Sequence, residues 1–337
     1  MLGGSQVKGH AGKLLRVDLT SMRVDTIPTE QYEKWYGGIG MGTALFWDEV
    51  DKDYITDTHD KSGFEPENVL CIMPGLLSGT LAPNGGRLEV CGISPISYPR
   101  PQFSRGNAGG RFAPYLKFAG YDGIVVKGRA ENPVWVDIRD DDVQIKDASH
   151  LWGLGAFATQ EEIWRDANIG VGGWSEVGEG RNSGRTTQRP AVLTTGQAGE
   201  NQARIACLVH DSGNAVGMPG FGGVFGSKNL KAISVIGTGS VEVAHPDQLL
   251  EARAWLTKYS YDLENAQAKQ VASFGVGWGP GQACTYVYRG FDKLNFGRPL
   301  GCYNCPVACR EKFSTNLLPG GETQCVEAGF WAGADAR

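Results

Sequence analysis

Between Lys13 and Gly237 the chain alternates short apolar runs with Gly, Pro, Asn or Asp. The runs KLLRVDL (13–19), VLCIM (69–73), RLEVCGI (87–93), GIVVKG (123–128), VWVDIRD (134–140), AVLTTG (191–196) and KAISVIG (231–237) predict strands. Several alternate in and out, and each stops at a residue that favours turns. Apolar residues recur at three- and four-residue spacing in FAPYLKFAG (112–120) and LGAFATQEEIWRDA (154–167), which predicts two helices within this region. The polar, glycine-rich stretch 170–190 reads as an exposed loop. Past TGSVEVAHPDQ the texture becomes helical (249–274), and Pro246 followed by Asp247 makes a helix start. The pattern predicts an α+β protein: a β-rich domain over 1–242, then the beginning of an α-helical domain over 243–337.

Composition narrows the function classes. The chain has 337 residues, of which 41% are apolar, enough for a substantial core. Thirty-two Lys and Arg against 37 Asp and Glu leave a net charge of −5, which gives no general attraction to nucleic acid or anionic membranes. The N-terminus lacks a continuous apolar segment of the signal-peptide kind and no apolar run approaches a membrane span, so a cytoplasmic location is expected. Glycine is the outlier: 49 residues is about twice the usual share. The glycines cluster in YGGIGMG, PNGGR, GNAGGRF and GFGGVFGSKN, which suggests tight turns and close approach of backbone to something bulky.

Sulfur is concentrated near the end, where GCYNCPVACREKF places Cys302, Cys305 and Cys309 within eight positions. Disulfides are improbable in a cytoplasmic chain, and three closely spaced thiols fill a core poorly. Metal ligation is the better reading. Zinc asks for a fourth Cys or His, and no histidine lies nearby. Three thiolates at this spacing can also hold three irons of a 4Fe-4S cluster while the last ligand arrives from elsewhere. Iron-sulfur is the first choice and zinc the second. Cys325 is a candidate fourth ligand, and a free buried cysteine fits it equally well. Cys71, Cys91 and Cys207 lie in or beside apolar strands and read as core, and Cys284 is unassigned.

Two glycine runs have the makings of anion loops, because successive backbone N–H groups can converge on a negative charge beside a helix N-terminus. GNAGGRFAPYLKFAG starts at Gly106 and offers Arg111 as a cation, and HDSGNAVGMPGFGGVFGSKNLKA starts at His210. Neither is a nucleotide fingerprint: there is no GxxxxGK[ST], and Phe225 occupies the last glycine position of a would-be GxGxxG.

Taken together, GKLLRVDLTSMRVDT, PGLLSGTLAPNGGR, LKFAGYDGIVVKGRAENPVWVDI, DASHLWG, GQAGEN, GSKNLKAISV and CYNCPVAC resemble the tungsten-containing aldehyde:ferredoxin oxidoreductases, a family that includes the catalytic subunit of benzoyl-CoA reductase. The resemblance implies a β-rich base for two pterin-dithiolene groups that jointly hold one tungsten or molybdenum, covered by helical domains. It implies that Arg87 lies between pterin and cluster. It implies that the backbone carbonyls of Asn107 and Ala215 hold a magnesium bridging two pterin phosphates. Ala108, Gly109 and Gly110 bring backbone to the cofactor, with Arg111 and Asn214 beside them. Cys302, Cys305 and Cys309 match three of the four ligands of a 4Fe-4S cluster. Dithiolene sulfurs supply soft ligands to the metal, so the protein's part is to grip pterin and phosphate. Glu327 is the candidate carboxylate for the proton of attacking water.

The implied partners are an aldehyde or related substrate and ferredoxin or an iron-sulfur electron-transfer subunit. Asn214 departs from the arginine often found there in the family. The family's long helical continuation is also missing, so the expectation is a fragment or one part of a divided enzyme, completed by an additional chain. A non-catalytic iron-sulfur scaffold subunit and a benzoyl-CoA-reductase-like catalytic subunit are the competing readings.

Overall fold

The computed structural model describes residues 7–56, 60–97, 99–168, 175–178, 183–211, 213–261, 295–305, 310–314 and 321–324. The chain divides into two compact units, Met1–Thr80 with Gly86–Ala244 and Leu81–Gly85 with His245–Arg337.

The first unit is built on two six-stranded mixed sheets. One contains β1 (Lys13–Asp18), β2 (Arg23–Pro28), β3 (Leu70–Pro74), β4 (Leu88–Ser94), β5 (Gln102–Ala108) and β6 (Ile124–Lys127), in the order β2-β1-β6-β3-β4-β5. Next along the chain come β7 (Val134–Arg139), β8 (Asp142–Asp147), the short pair β9 (Ser175–Val177) and β10 (Gly184–Thr186), then β11 (Ala191–Thr194), β12 (Leu208–His210), β13 (Asn214–Val216) and β14 (Leu230–Ile236). Without β9 and β10 these form the second sheet, in the order β8-β7-β14-β11-β12-β13.

The two sheets have one topology. Each starts as an antiparallel hairpin, β1–β2 or β7–β8, whose first strand pairs in parallel with the last strand of its set, β6 or β14. The remaining strands run antiparallel out to an edge, β5 in one sheet and β13 in the other. Residues 13–127 and 134–236 are thus half-repeats. The helices repeat as well: α1 (Gly38–Glu49) and α2 (Lys52–Thr56) in the first half are followed by α3 (Phe112–Phe118) after the edge strand. In the second half α4 (Ala156–Asn168) follows the hairpin and α6 (Phe221–Ser227) follows the edge strand in the same way, whereas α5 (Gln197–Glu200) lies between β11 and β12, where the first half has no helix.

Burial explains why the strand runs are so apolar. In β3 every residue is buried: Leu70 and Ile72 enter a core shared by both sheets, while Cys71 and Met73 face α1 on the opposite side. A strand covered on both faces reads as a continuous apolar run. The shared core joins Leu15, Val17, Val90 and Val126 to Val136, Leu193, Ile233 and Val235, with Phe112, Leu116, Phe221 and Phe225 from α3 and α6. Each fully buried side chain of this size contributes roughly 1.5–3 kcal/mol. α4 covers the outer face of the second sheet through Ile163, against Trp135, Val192 and Ala232.

Two parts of the sequence pattern behave differently from their reading. YGGIGMG, taken for a turn cluster, opens α1, with Met41, Leu45 and Phe46 as its buried stripe. Its glycine serves contact: a Cβ at Gly42 would sit 2.8 Å from Cys91 Sγ and 2.9 Å from Met73 Cγ, so only glycine lets the helix lie on the sheet. The stretch 170–190 contains the β9–β10 ladder, because Ser175 and Val177 turn inward while Glu176 faces out.

In the second unit α7 (Pro246–Tyr261) begins at the proline that marks its start, and β15 (Asn295–Leu300), β16 (Arg310–Ser314) and β17 (Gly321–Gln324) form an antiparallel sheet. Strands therefore accompany the helix in a region whose sequence suggested helices. Among the described residues no helix is long and apolar enough to cross a membrane.

Candidate functional site

The edge strands of the two half-repeats meet. A Cβ at Gly106 would lie 2.7 Å from Pro219 Cδ and 2.8 Å from Val216 Cγ1. A Cβ at Gly110 would lie 2.8 Å from His210 Nε2 and 2.9 Å from Asn214 Nδ2, and would collide with His210 Cδ2. Asn107 and Ala215 fall between these two points of contact. The register makes them equivalents: Asn107 is opposite Glu89, the second residue of β4, and Ala215 is opposite Val209, the second residue of β12. Both are exposed, whereas Ala108, Gly109, Gly110 and Asn214 beside them are buried. The two glycine loops that the sequence offered separately thus form one platform.

The cations around it have distinct tasks. Arg87 is exposed and its Nη2 donates to Asn107 Oδ1. Arg105 Nη1 lies 3.3 Å from Glu89 Oε1. Burial pushes the Glu89 carboxyl above the usual carboxylate range, against the opposing effect of Arg105. Arg111, the cation proposed for an anion loop, is engaged by protein: Nε donates to Asp211 Oδ1 and Oδ2 (3.1 and 3.2 Å), Nη1 to the Arg189 carbonyl (2.6 Å) and Nη2 to the Pro190 carbonyl (2.9 Å). Burial alone would raise the Asp211 pKa, but its contacts, the Arg111 guanidinium bonded to both carboxylate oxygens among them, hold it below the ordinary value.

His210 is the residue that sequence reasoning passed over. The N–H groups of Arg111 and Phe112, which open α3, both donate to His210 Nε2 at 3.1 Å. They are consumed by an imidazole from the other half-repeat, so they are not the free helix-start donors an anion loop calls for. The available signal was a histidine closing the apolar LVH beside a glycine loop.

In the second unit Cys302 and Cys305 share one turn, in which Cys305 N–H donates to the Cys302 carbonyl at 3.0 Å. Asn304 between them has φ +53°. Its Nδ2 donates to the Ala82 carbonyl (3.1 Å), its own carbonyl accepts from Asn84 N–H (3.3 Å), and Arg253 bonds both Asn304 Oδ1 and the Leu81 carbonyl. Loop 81–85 is thereby tied to the cysteine turn. Cys309, Cys325, Cys284 and Glu327 lie outside the described residues. Cys71 and Cys91 are buried opposite one another on β3 and β4, while Cys207 is only half-buried.

Among the described residues no three His, Cys, Asp or Glu side chains are grouped to hold a metal ion. The platform instead presents backbone, glycine and an exposed arginine, a donor set that fits a ligand carrying its own soft atoms and its own phosphates. A cavity of about 430 Å³ beside β8 and β10 shares no lining residue with it, and cations there already have acidic neighbours, Arg139 with Asp137 and Arg185 with Glu176.

Comparison with known proteins agrees with this geometry. Residues 14–237 match the family described as aldehyde ferredoxin oxidoreductase, N-terminal domain. The tungsten-containing aldehyde ferredoxin oxidoreductase of Pyrococcus furiosus is 33% identical over 96% of this chain and 52% of its own length, and that of Thermococcus kodakarensis is 37% identical over 72% and 36%. The active-site complex BamBC of benzoyl coenzyme A reductase, solved with 1,5-dienoyl-CoA, has a TM-score of 0.74 and 28% identity over 94% of this chain and 49% of that one. The chain spans about half the length of the relatives it matches end to end. With two edge strands meeting over a backbone platform and this match across most of its length, the chain belongs to the aldehyde ferredoxin oxidoreductase family.

Proposed function

We propose that the first unit is the base for a tungsten or molybdenum bis-pterin cofactor in an aldehyde oxidoreductase. Cys302, Cys305 and Cys309 would then hold a 4Fe-4S cluster that passes electrons to ferredoxin or a partner subunit. The observation that carries the reading is the equivalence of Asn107 and Ala215 in two half-repeats. A ligand with two like pterin arms calls for a platform with two like grips.

In this reading the backbone carbonyls of Asn107 and Ala215 would hold a magnesium ion, which would supply positive charge for the cofactor's phosphates. Ala108, Gly109 and Gly110 allow close backbone approach, and Arg87 supplies positive charge beside Asn107. Asn214 offers a neutral amide, so the second phosphate depends more on backbone and magnesium than on a cation. When bound, the metal-dithiolene group supplies two-electron redox chemistry and the cluster single-electron transfer. Glu327 is the proposed group that takes the proton from attacking water. An additional chain or segment supplies the helical cover and the remaining cluster ligand.

The relatives leave a second substrate class open. The benzoyl coenzyme A reductase match favours reduction of an aromatic acyl-thioester on the same platform. Anaerobic purification followed by elemental analysis tests the reading: tungsten or molybdenum together with iron supports it. Iron alone points to an electron-transfer scaffold, and zinc alone overturns both. Aldehyde-dependent against dienoyl-thioester-dependent reduction of a viologen dye separates the substrate classes.

A further inference from the structure

The half-repeats differ at one buried position next to the platform. The third residue of β4 is Val90, which packs in the shared core, and the matching third residue of β12 is His210, also fully buried. A buried imidazole has to place both nitrogens. His210 Nδ1 lies 2.9 Å from the Val192 carbonyl, which can only accept, so Nδ1 carries the proton. Nε2 is then an acceptor, and the Arg111 and Phe112 N–H groups both point at it. Asp211 Oδ2 also lies 2.9 Å from Nε2 and would favour a proton there. Two aligned backbone donors and the Arg111 guanidinium already on that carboxylate decide for the lone pair.

The ring is confined on its other sides. It occupies the space a Cβ at Gly110 would need, and the Phe112 ring meets it edge-on, centroids 5.9 Å apart at 76°. Gly110 itself has φ +93°, a conformation glycine adopts without strain. A single side chain from the second half-repeat therefore sets where the first half-repeat leaves β5 and enters α3. The segment between, Ala108–Gly110, is the close-approach backbone of the platform.

We propose that His210 is a positioning residue: its imidazole fixes Asn107–Gly110 relative to Ala215, so that both grips keep one spacing for one ligand. This rests on the cofactor-base reading above.

The test compares wild type, His210→Ala, His210→Leu and His210→Gln, each as the full chain purified without oxygen. Three quantities are measured: amide hydrogen exchange at Arg111 and Phe112, tungsten plus molybdenum per chain, and the electron paramagnetic resonance spectrum of the metal. In the Ala and Leu variants the two amides exchange at least tenfold faster while β3 and β14 stay protected. Metal content falls at least fivefold and the residual spectrum shifts. Gln places an oxygen near the Nε2 position, so it restores amide protection and metal content in part. If His210→Ala unfolds, His210→Leu fills the site without an acceptor and decides alone. Wild-type metal content with an unchanged spectrum in His210→Leu overturns the proposal, as does a Gln variant that protects the amides yet holds no more metal. A wild-type chain without either metal is a different failure: it removes the cofactor-base reading, and the positioning role with it.

Discussion

The half-repeats of the first unit share strands, order and register, yet their chemistry is unequal. Before β4 stands Arg87, exposed and bonded to Asn107, and the corresponding position before β12 is Cys207, half-buried with its sulfur 3.8 Å from the Gly217 carbonyl. The ties run both ways, for Arg111 of the first half bonds Asp211 and the Arg189 and Pro190 carbonyls of the second. His210 reaches from β12 to the start of α3, and Lys228 reaches from the end of α6 to the carbonyls of Pro66 (3.1 Å) and Gly128 (2.9 Å). Edge strands of like register thus carry unlike side chains beside them, an exposed arginine in one half and a buried histidine in the other.

The strongest way to break this comparison is at the glycines. Gly110→Ala forces a side chain into His210 at a positive φ and should cost about 3 kcal/mol or more in chemical denaturation. Among the described residues the one contact within 4 Å of a Cβ at Gly217 in the second half is Cys207 Sγ at 3.8 Å, so Gly217→Ala should stay within about 0.5 kcal/mol. Equal losses would show that the halves are not anchored differently.

Lys228 gives the next largest effect. Burial, with Arg129 adding to it, lowers its pKa to about 7 from the ordinary 10.5. Between those values the unfolded chain binds a proton that the folded chain does not, so stability should rise by a few kcal/mol as pH climbs from 7 towards 10 and stay level below 7. Lys228→Met should flatten that rise, as followed by denaturation at stepped pH.

Asp211 should act in the opposite pH range and more weakly. Its folded pKa lies below the ordinary 3.8, so its contribution is present above pH 4 and is lost as pH falls below that value. The difference between wild type and Asp211→Asn should shrink over that interval. Arg87→Ala sharpens the comparison with the smallest change in stability, under about 0.5 kcal/mol for an exposed side chain. On the proposed function it lowers metal content, whereas Cys207→Ala leaves metal content unchanged.

Legibility followed burial. All seven apolar runs are strands, β1, β3, β4, β6, β7, β11 and β14, because each packs into an apolar core. The helical spacing at 112–120 and 154–167 and the start at Pro246 correspond to α3, α4 and α7. The strands that carry the platform had no such signal. β5 is QFSRGNA, mostly exposed at a sheet edge, and β13 is three residues long. An exposed edge strand has no apolar face to announce it. The resemblance supplied Asn107 and Ala215, while nothing in the local pattern joined them, and Cys309 and Glu327 fall outside the described residues.

Sequence by itself determined the two-faced strands, the helices with a clear apolar stripe, the family motifs and the thiol spacing, because these depend on periodicities and residue types within a few positions. Tertiary structure alone decided that the chain repeats one sheet twice, that Asn107 and Ala215 are counterparts, and that His210 and Lys228 cross from one half to the other. Those relations join residues about 100 to 160 positions apart, where hydrogen-bond register and burial act on pairs that no local pattern connects.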